Sequence, residues 1–538
     1  MPTAVVHDPT CAPFNPGPLR TAVWALVACA LIGAATPARA AAFGFEDVAL
    51  QAQTLAQSPY RKPPVVDARR AALGYDAARR IQFRQPQALW AGSGSPFEMH
   101  FFPVAGDGAR ALRLHEVTDG NVRALAPPAS IFDNDGVLPP DAPGSAALIA
   151  GWKLTYPLNE ATKRDEVAAF LGSNYFRALG QGQRYGLSAR GVAIDTVGGA
   201  HGEEFPDFTA YWFETPKPGT AGSSEFVFHA LLDGPRVTGA YRFALKPGAA
   251  TTVDVRARLY LRAGAAPVVT VGFAPLTSMY LHGDNQAAAS ADFRPEVHDS
   301  DGLQIESAEG EWLWRPLTNP RAPFITSFAL RSPRGFGLMQ RDRAFASYED
   351  VEARYELRPS AWVEPIGDWG TGRVELLQFR TPDETHDNIA AYWVPASAPQ
   401  PGAPLELSWR VHWQGQAQRL PPASHVTQTR TGYGYSRTPQ PKQRHKMLID
   451  FAGPALPALE KSGERAQNLQ APVEAVASAS ANGRIVRSHA YPNPARNGWR
   501  ATLEFDRVDA KQAVELRVFL RQGANTLSET WSYALAPD

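Results

Sequence analysis

Thr252-Val-Asp-Val-Arg-Ala-Arg-Leu-Tyr-Leu261 alternates apolar with polar residues, the period expected of a half-buried antiparallel strand. The same alternation runs through Glu225-Phe-Val-Phe-His-Ala-Leu-Leu232 and Val374-Glu-Leu-Leu-Gln-Phe379. Turn signals separate such runs, among them Asp233-Gly-Pro, Lys246-Pro-Gly and Ser332-Pro-Arg-Gly. Strands joined by tight turns predict large packed sheets rather than a βαβ wind, so the expected fold is all-β. No repeat of 20–50 residues is evident, which argues against solenoids and propellers.

Outward from these strands, Phe43 to Ala56 has helical spacing and Asp67 to Arg80 reads similarly; a further helix is expected over Lys163 to Leu171. Pro395-Ala-Ser-Ala-Pro-Gln-Pro-Gly-Ala-Pro404 reads as a linker, because its prolines cannot join a central ladder. The expected division is thus a large β-sandwich over residues 41–395, a linker at 396–404 and an immunoglobulin-like β-sandwich over 405–538. The smaller domain is expected to add little to the chemistry, and the Ala/Ser-rich stretch Ala477 to Gly483 reads as a loop. Residues 1–40 read as a signal peptide: Arg20 leads into an apolar stretch from Thr21 to Ala35, and Ala38-Arg39-Ala40 offers a cleavage site. That stretch is shorter than the ~20 residues of a spanning helix, so a soluble exported protein without stable membrane insertion is expected. Cys11 and Cys29 both lie inside residues 1–40, which leaves the mature chain without a thiol.

Lys plus Arg and Asp plus Glu each number 53, so nothing in the charge balance selects nucleic acid or an acidic membrane, and a neutral ligand is favoured. The sequence has no Walker loop, strand-embedded GxGxxG, His-Glu-x-x-His or GxSxG elbow. No cofactor is expected, and no metal, since the 12 histidines lack ligand spacing. Carboxylates set among aromatics remain. Glu296-Val-His-Asp-Ser-Asp-Gly302 carries Asp299 and Asp301, which would share one face of an extended chain. Asp383-Glu-Thr-His-Asp-Asn-Ile-Ala-Ala-Tyr-Trp393 places three acids ahead of a strand. Glycosidic cleavage needs one carboxyl protonated and one ionised, and crowding acids drives their pKa values apart. Most aromatic residues are expected in the core, but Trp369, beside a loop, is a candidate for stacking on a sugar.

Six ordered runs resemble those of the osmoregulated periplasmic glucan biosynthesis proteins, types G and D. They are Gln183-Arg-Tyr-Gly-Leu-Ser-Ala-Arg-Gly191, Glu203-Glu-Phe-Pro-Asp-Phe-Thr-Ala-Tyr-Trp-Phe213, His298-Asp-Ser-Asp-Gly302, Arg334-Gly-Phe-Gly-Leu-Met-Gln-Arg-Asp-Arg343, Arg358-Pro-Ser-Ala-Trp-Val-Glu-Pro365 and Asp387-Asn-Ile-Ala-Ala-Tyr-Trp393. The resemblance spans almost the whole chain beyond Phe43. It implies a mutarotase-like large sandwich followed by an immunoglobulin-like domain. It also implies endo-acting β-1,2-glucanase or transglycosylase chemistry that inverts the anomeric centre. On matching positions it makes Asp387 the general acid, Asp299 the general base and Tyr355 part of a proton relay. Glu384 would tune the acid, Arg358 would line the substrate site, and Asp301 is a weaker candidate there. The absence of a twin-arginine signal favours type G.

The expected function is therefore periplasmic glucan biosynthesis by action on a β-1,2-glucan backbone. A rival is a non-catalytic factor that binds glucan and guides the chain from an inner-membrane glucan synthase. A second rival, a polysaccharide lyase or epimerase, would betray itself by unsaturated products.

Overall fold

The computed structural model describes residues 42–63, 67–106, 110–139, 142–219, 225–289, 291–433, 439–456 and 472–538. The segment read as a signal peptide, with both cysteines, lies outside them. The alternating stretch is the strand Thr251–Leu261, which buries Val253, Val255, Ala257 and Leu259 and turns Asp254, Arg256 and Arg258 outward. It is central, paired antiparallel with Val237–Lys246 on one side and Leu405–Gln414 on the other. Its outward arginines are not idle: Arg256 and Arg258 bridge Glu46 and Glu406 and lie over the Phe45 ring. They thereby hold the helix Phe45–Ala56 against the sheet. The apolar stripe of that helix, Phe45, Val48, Ala49, Ala52 and Ala56, is buried beside Ala210, Trp212, Leu231 and Ala240. The Gly44 N–H donates to the Asp47 carboxylate at 2.8 Å and closes the helix's first turn.

Two large sheets face each other, one of 10 strands and one of 15. Aromatic rings from both fill the space between them. Trp152 of the first sheet meets Phe228 of the second at 4.9 Å, and Phe170 meets Phe243 at 5.4 Å, both edge to face. Each fully buried ring contributes about 1.5–3 kcal/mol by leaving water, so this core dominates the stability of the larger lobe.

The 15-stranded sheet does not stop at the larger lobe. Trp312–Pro316 pairs in parallel with Thr530–Leu535, through Leu313 to Thr530 and Trp314 to Trp531. Thr530–Leu535 then pairs with Val514–Gln522, and that strand with Val473–Ala479. A four-stranded sheet of His425–Thr431, Arg444–Ala452, Gly498–Arg507 and Gly483–Asn493 covers this extension. The second core lies between the two, around Met447, Ile449, Phe451, Leu503, Phe505, Leu516, Val518 and Trp531. Trp314, Met339 and Trp362 reach into it from the larger lobe. Residues 42–538 form one compact unit. No helix among the described residues is long and apolar enough to cross a membrane.

Four local expectations change. Residues Asp165–Leu171 form a strand, not a helix, between Ile149–Tyr156 and Tyr175–Ala178; two ladders and the burial of Val167, Ala168 and Phe170 outweigh a weak helical preference. The stretch 67–80 breaks into two short helices, Ala68–Ala71 and Tyr75–Arg79, interrupted at Gly74. Of the Ala/Ser-rich stretch, Ala477 to Ala479 end the strand Val473–Ala479 and Gly483 opens the strand Gly483–Asn493, so that only the turn between them is loop. The Pro-rich segment does not mark the boundary between the cores, because Leu405–Gln414, which follows it, fills the gap between Thr251–Leu261 and Ser360–Ile366 in the large sheet. The first strand of the smaller sandwich is His425–Thr431.

Candidate active site

His298-Asp-Ser-Asp301 crosses between the short strand Val297–His298 and the strand Gly302–Glu306. The backbone N–H groups of Asp299 and Asp301 donate to Met279 O at 2.8 Å and Met339 O at 2.9 Å, and the Ser300 and Ser278 hydroxyls meet at 2.9 Å. Clamped this way, the two aspartates part. Asp299, 5% exposed, pairs with Arg358. Asp301 accepts the backbone N–H groups of Arg341 and Asp342, each at 3.0 Å, beside Thr427 to Thr429 of the smaller lobe. The shared face expected from alternation is lost because the segment crosses between strands instead of running along one.

Below Asp299, the His298 ring donates from Nε2 to Glu296 at 2.8 Å and from Nδ1 to Gln340 at 2.8 Å. Burial alone would lower its pKa, but the hydrogen bond and charge of Glu296 raise it to about 9. The imidazolium that results lies beside both aspartates and favours their ionised forms. Even so, burial leaves both Asp299 and Asp301 above the ordinary carboxylate range.

Arg358 follows the single turn Tyr355–Leu357, and its guanidinium lies 4.0 Å from the centre of the Tyr355 ring. Gly186 permits this packing: a Cβ there would sit 2.9 Å from that of Arg358. The Tyr355 hydroxyl donates to Glu384 Oε2 at 2.9 Å, and Arg294 donates to the same oxygen at 2.5 Å. Arg294 is itself gripped by Asp292 and Asp350, so Glu384 is fixed from two sides.

Asp387 ends the loop that enters the strand Ile389–Pro395. Its neighbour Asn388, 2% exposed, supplies the anchor. The Asn388 side chain donates to Tyr280 O at 3.0 Å and Phe379 O at 2.9 Å, and accepts from the Tyr280 N–H at 2.8 Å. The Asp387 carboxyl reaches solvent, yet the protein around it removes enough hydration to raise its pKa. The charge of Asp299 raises it further, against the pull of Arg177, Arg190 and Arg358. Among the described residues, no hydrogen bond is formed to the Asp387 carboxyl, and none joins it to Asp299.

Asp299, Arg358, Tyr355 and Glu384 therefore connect through direct contacts, and Asp387 joins them through its interaction with Asp299. Asp301 serves the boundary with the smaller lobe instead. Trp369 is not a stacking surface: it is 5% exposed, its Nε1–H donates to Ser408 O at 2.9 Å, and its ring packs on Trp393 and Trp409 in the core. Arg177, Arg190, Arg294 and Asn388 were not singled out from sequence. Arg190 and Asn388 stand inside quoted motifs and so were reachable; Arg177 and Arg294 carry no local signal. Among the described residues, no group of three or more His, Cys, Asp or Glu is placed to hold a metal ion.

Fold and site together define a β-sandwich protein with two buried cores, in which Asp299 pairs with Arg358 and interacts by charge with Asp387. The family model described as "Periplasmic glucan biosynthesis protein, MdoG" matches residues 43–535. The chain belongs to that family of periplasmic glucan biosynthesis proteins. It is 47% identical over 518 residues to the glucans biosynthesis protein G of Ralstonia nicotianae, covering 95% of this chain and 99% of that one. It is 43% identical over 502 residues to the protein of the same name from Sodalis glossinidius, covering 92% and 93%.

Proposed function

We propose that this chain acts on the β-1,2-linked backbone of periplasmic glucan as an inverting endo-glycosidase or transglycosylase. The observation that carries the reading is that Asp299 and Asp387 interact through charge while, among the described residues, only Asp299 holds an arginine partner. Among the described residues no donor hydrogen-bonds the Asp387 carboxyl, and lost hydration together with the charge of Asp299 raises its pKa, which suits a proton donor to the leaving oxygen. Asp299 keeps an arginine partner, which suits a base. The two interact through charge without a hydrogen bond, and an inverting pair needs room for water between its carboxyls. Tyr355, whose hydroxyl donates to Glu384 at 2.9 Å, supplies the hydroxyl of a relay between base and nucleophile, and Glu384 tunes the acid three residues on.

In this reading residues 1–40 direct export and are removed, the larger lobe is mutarotase-like and the smaller immunoglobulin-like. The test is incubation of the processed protein with linear β-1,2-glucan, following product length, reducing ends and anomeric configuration. Asp387→Asn should lower turnover by about 10²–10⁴-fold while glucan binding persists. Chains altered without new reducing ends would indicate transfer. The relatives' name speaks of biosynthesis, which favours one second reading, a glucan-binding factor serving a membrane synthase. In that case the wild type binds glucan without cleaving it, and Asp387→Asn is silent in glucan production.

A further inference from the structure

Phe205 is 46% exposed, yet the chain on either side of it is fixed by buried groups. Before it, Glu204, 8% exposed, accepts from Arg236 N at 3.1 Å and Arg236 Nε at 2.7 Å, and its own N–H donates to Ile194 O at 3.0 Å. After it, Pro206 O accepts from the Ser173 hydroxyl at 2.8 Å and from the Asn174 amide, wholly buried, at 2.7 Å. An apolar ring left in water forgoes the stabilisation of burial, and here its backbone is already ordered. Such a ring is preorganised for a ligand.

The ring's surroundings fix what that ligand is. The Arg190 guanidinium lies 4.9 Å from the Phe205 ring centre and 4.5 Å from that of Tyr175, and it pairs with Glu203 at 3.2 Å. Its charge is thus compensated and covered by rings, so the surface offers an aromatic face instead of a free cation. The residues before it, His201, Gly202 and Glu203, are exposed and, apart from the glycine, polar, so on that side the apolar area ends at the single ring. That is small for a protein interface, which needs a larger apolar centre. It matches a pyranose, whose C–H face is apolar and whose rim is hydroxylated. The strands Ser188–Arg190 and Ile389–Pro395 flank the same strand, Val271–Ser278, with Thr277 opposite Ser188 on one side and Ala390 on the other, so the stack stands on the sheet that Asp387 leads into.

We propose that Phe205, backed by Arg190 and Tyr175, is a stacking subsite for one glucosyl ring of a neutral glucan chain next to Asp387. The proposal rests on the glucan reading of the site. Its test is the affinity of linear β-1,2-glucan oligosaccharides, measured by titration calorimetry in the Asp387→Asn background so that chains stay intact. Adding Phe205→Ala should weaken binding roughly five- to tenfold, whereas Phe205→Trp should stay within about twofold. Unchanged affinity in Phe205→Ala would overturn the subsite, and the loss of cleavage in Asp387→Asn alone would still uphold the glycosidase. Binding weakened by Phe205→Ala in a protein that never cleaves glucan would uphold the subsite and remove the glycosidase. No glucan binding by wild type would overturn both.

Discussion

Burial removes a carboxylate's hydration, and around His298 several carboxylates share that loss with one imidazolium. Asp284, whose Oδ2 accepts the Thr429 N–H at 2.8 Å, is pushed up to about 8, chiefly by burial and then by the charge of Glu296. Its ordinary value is 3.8, so between these limits the folded protein holds a proton that the unfolded chain has released, and stability falls as pH rises. His298, at about 9 against 6.5, works in the same direction: its contribution is full below 6.5 and is lost as pH rises through about 9. Thermal unfolding should therefore show a falling midpoint from pH 6.5 to 9. Asp284→Asn keeps an acceptor for Thr429 and should flatten that fall, by up to about 1.4 kcal/mol per pH unit. A wild-type midpoint constant over this range would contradict the assignment. Asp299 was legible as a candidate from its motif alone. The partition of Asp299 toward Arg358 and Asp301 toward the smaller lobe was not, because the partners of both arrive from segments distant in sequence.

At the level of elements, glycines let tryptophans lie flat across neighbouring strands. A Cβ on Gly302 would stand 2.2 Å from the Trp314 ring, one on Gly335 2.2 Å from Trp362, and one on Gly372 2.4 Å from Trp393. Gly302 also opens the strand that follows Asp301. Gly302→Ala should destabilise by about 1–3 kcal/mol through overpacking, read as a lower denaturant midpoint. Trp369→Ala should cost about 3–5 kcal/mol, and any weaker glucan binding should vanish where the variant is fully folded, since the ring is core. Strands were legible wherever one face meets water, because alternation then records the burial. Asp165–Leu171 was misread because it is short and its pattern fits either period, and only its two partner strands settle the choice.

Across the molecule, the two lobes share a sheet and a buried ion pair. Arg341 donates to both oxygens of Glu529, at 2.6 and 3.0 Å, with the two side chains 5% and 0% exposed. Glu529 also accepts the Val426 N–H at 2.7 Å, so it links the large-lobe strands to both sheets of the smaller sandwich. Glu529→Ala leaves the guanidinium buried without its anion and should destabilise by about 3–5 kcal/mol, seen in a denaturant titration. Because Trp314, Met339 and Trp362 complete the second core, deleting residues 415–538 should expose them and lower the solubility of the larger lobe. The sequence by itself determined the all-β class, the helix at Phe45–Ala56 and the motifs of the family, because alternation, turn residues and motif order are local. Only the tertiary structure decided that the Pro-rich segment connects the two sheets of one lobe, that Trp369 is core and that Asp301 belongs to the boundary. Those outcomes depend on which distant strands pair and what each side chain then meets, and a strand's period says that one face is buried without saying against what.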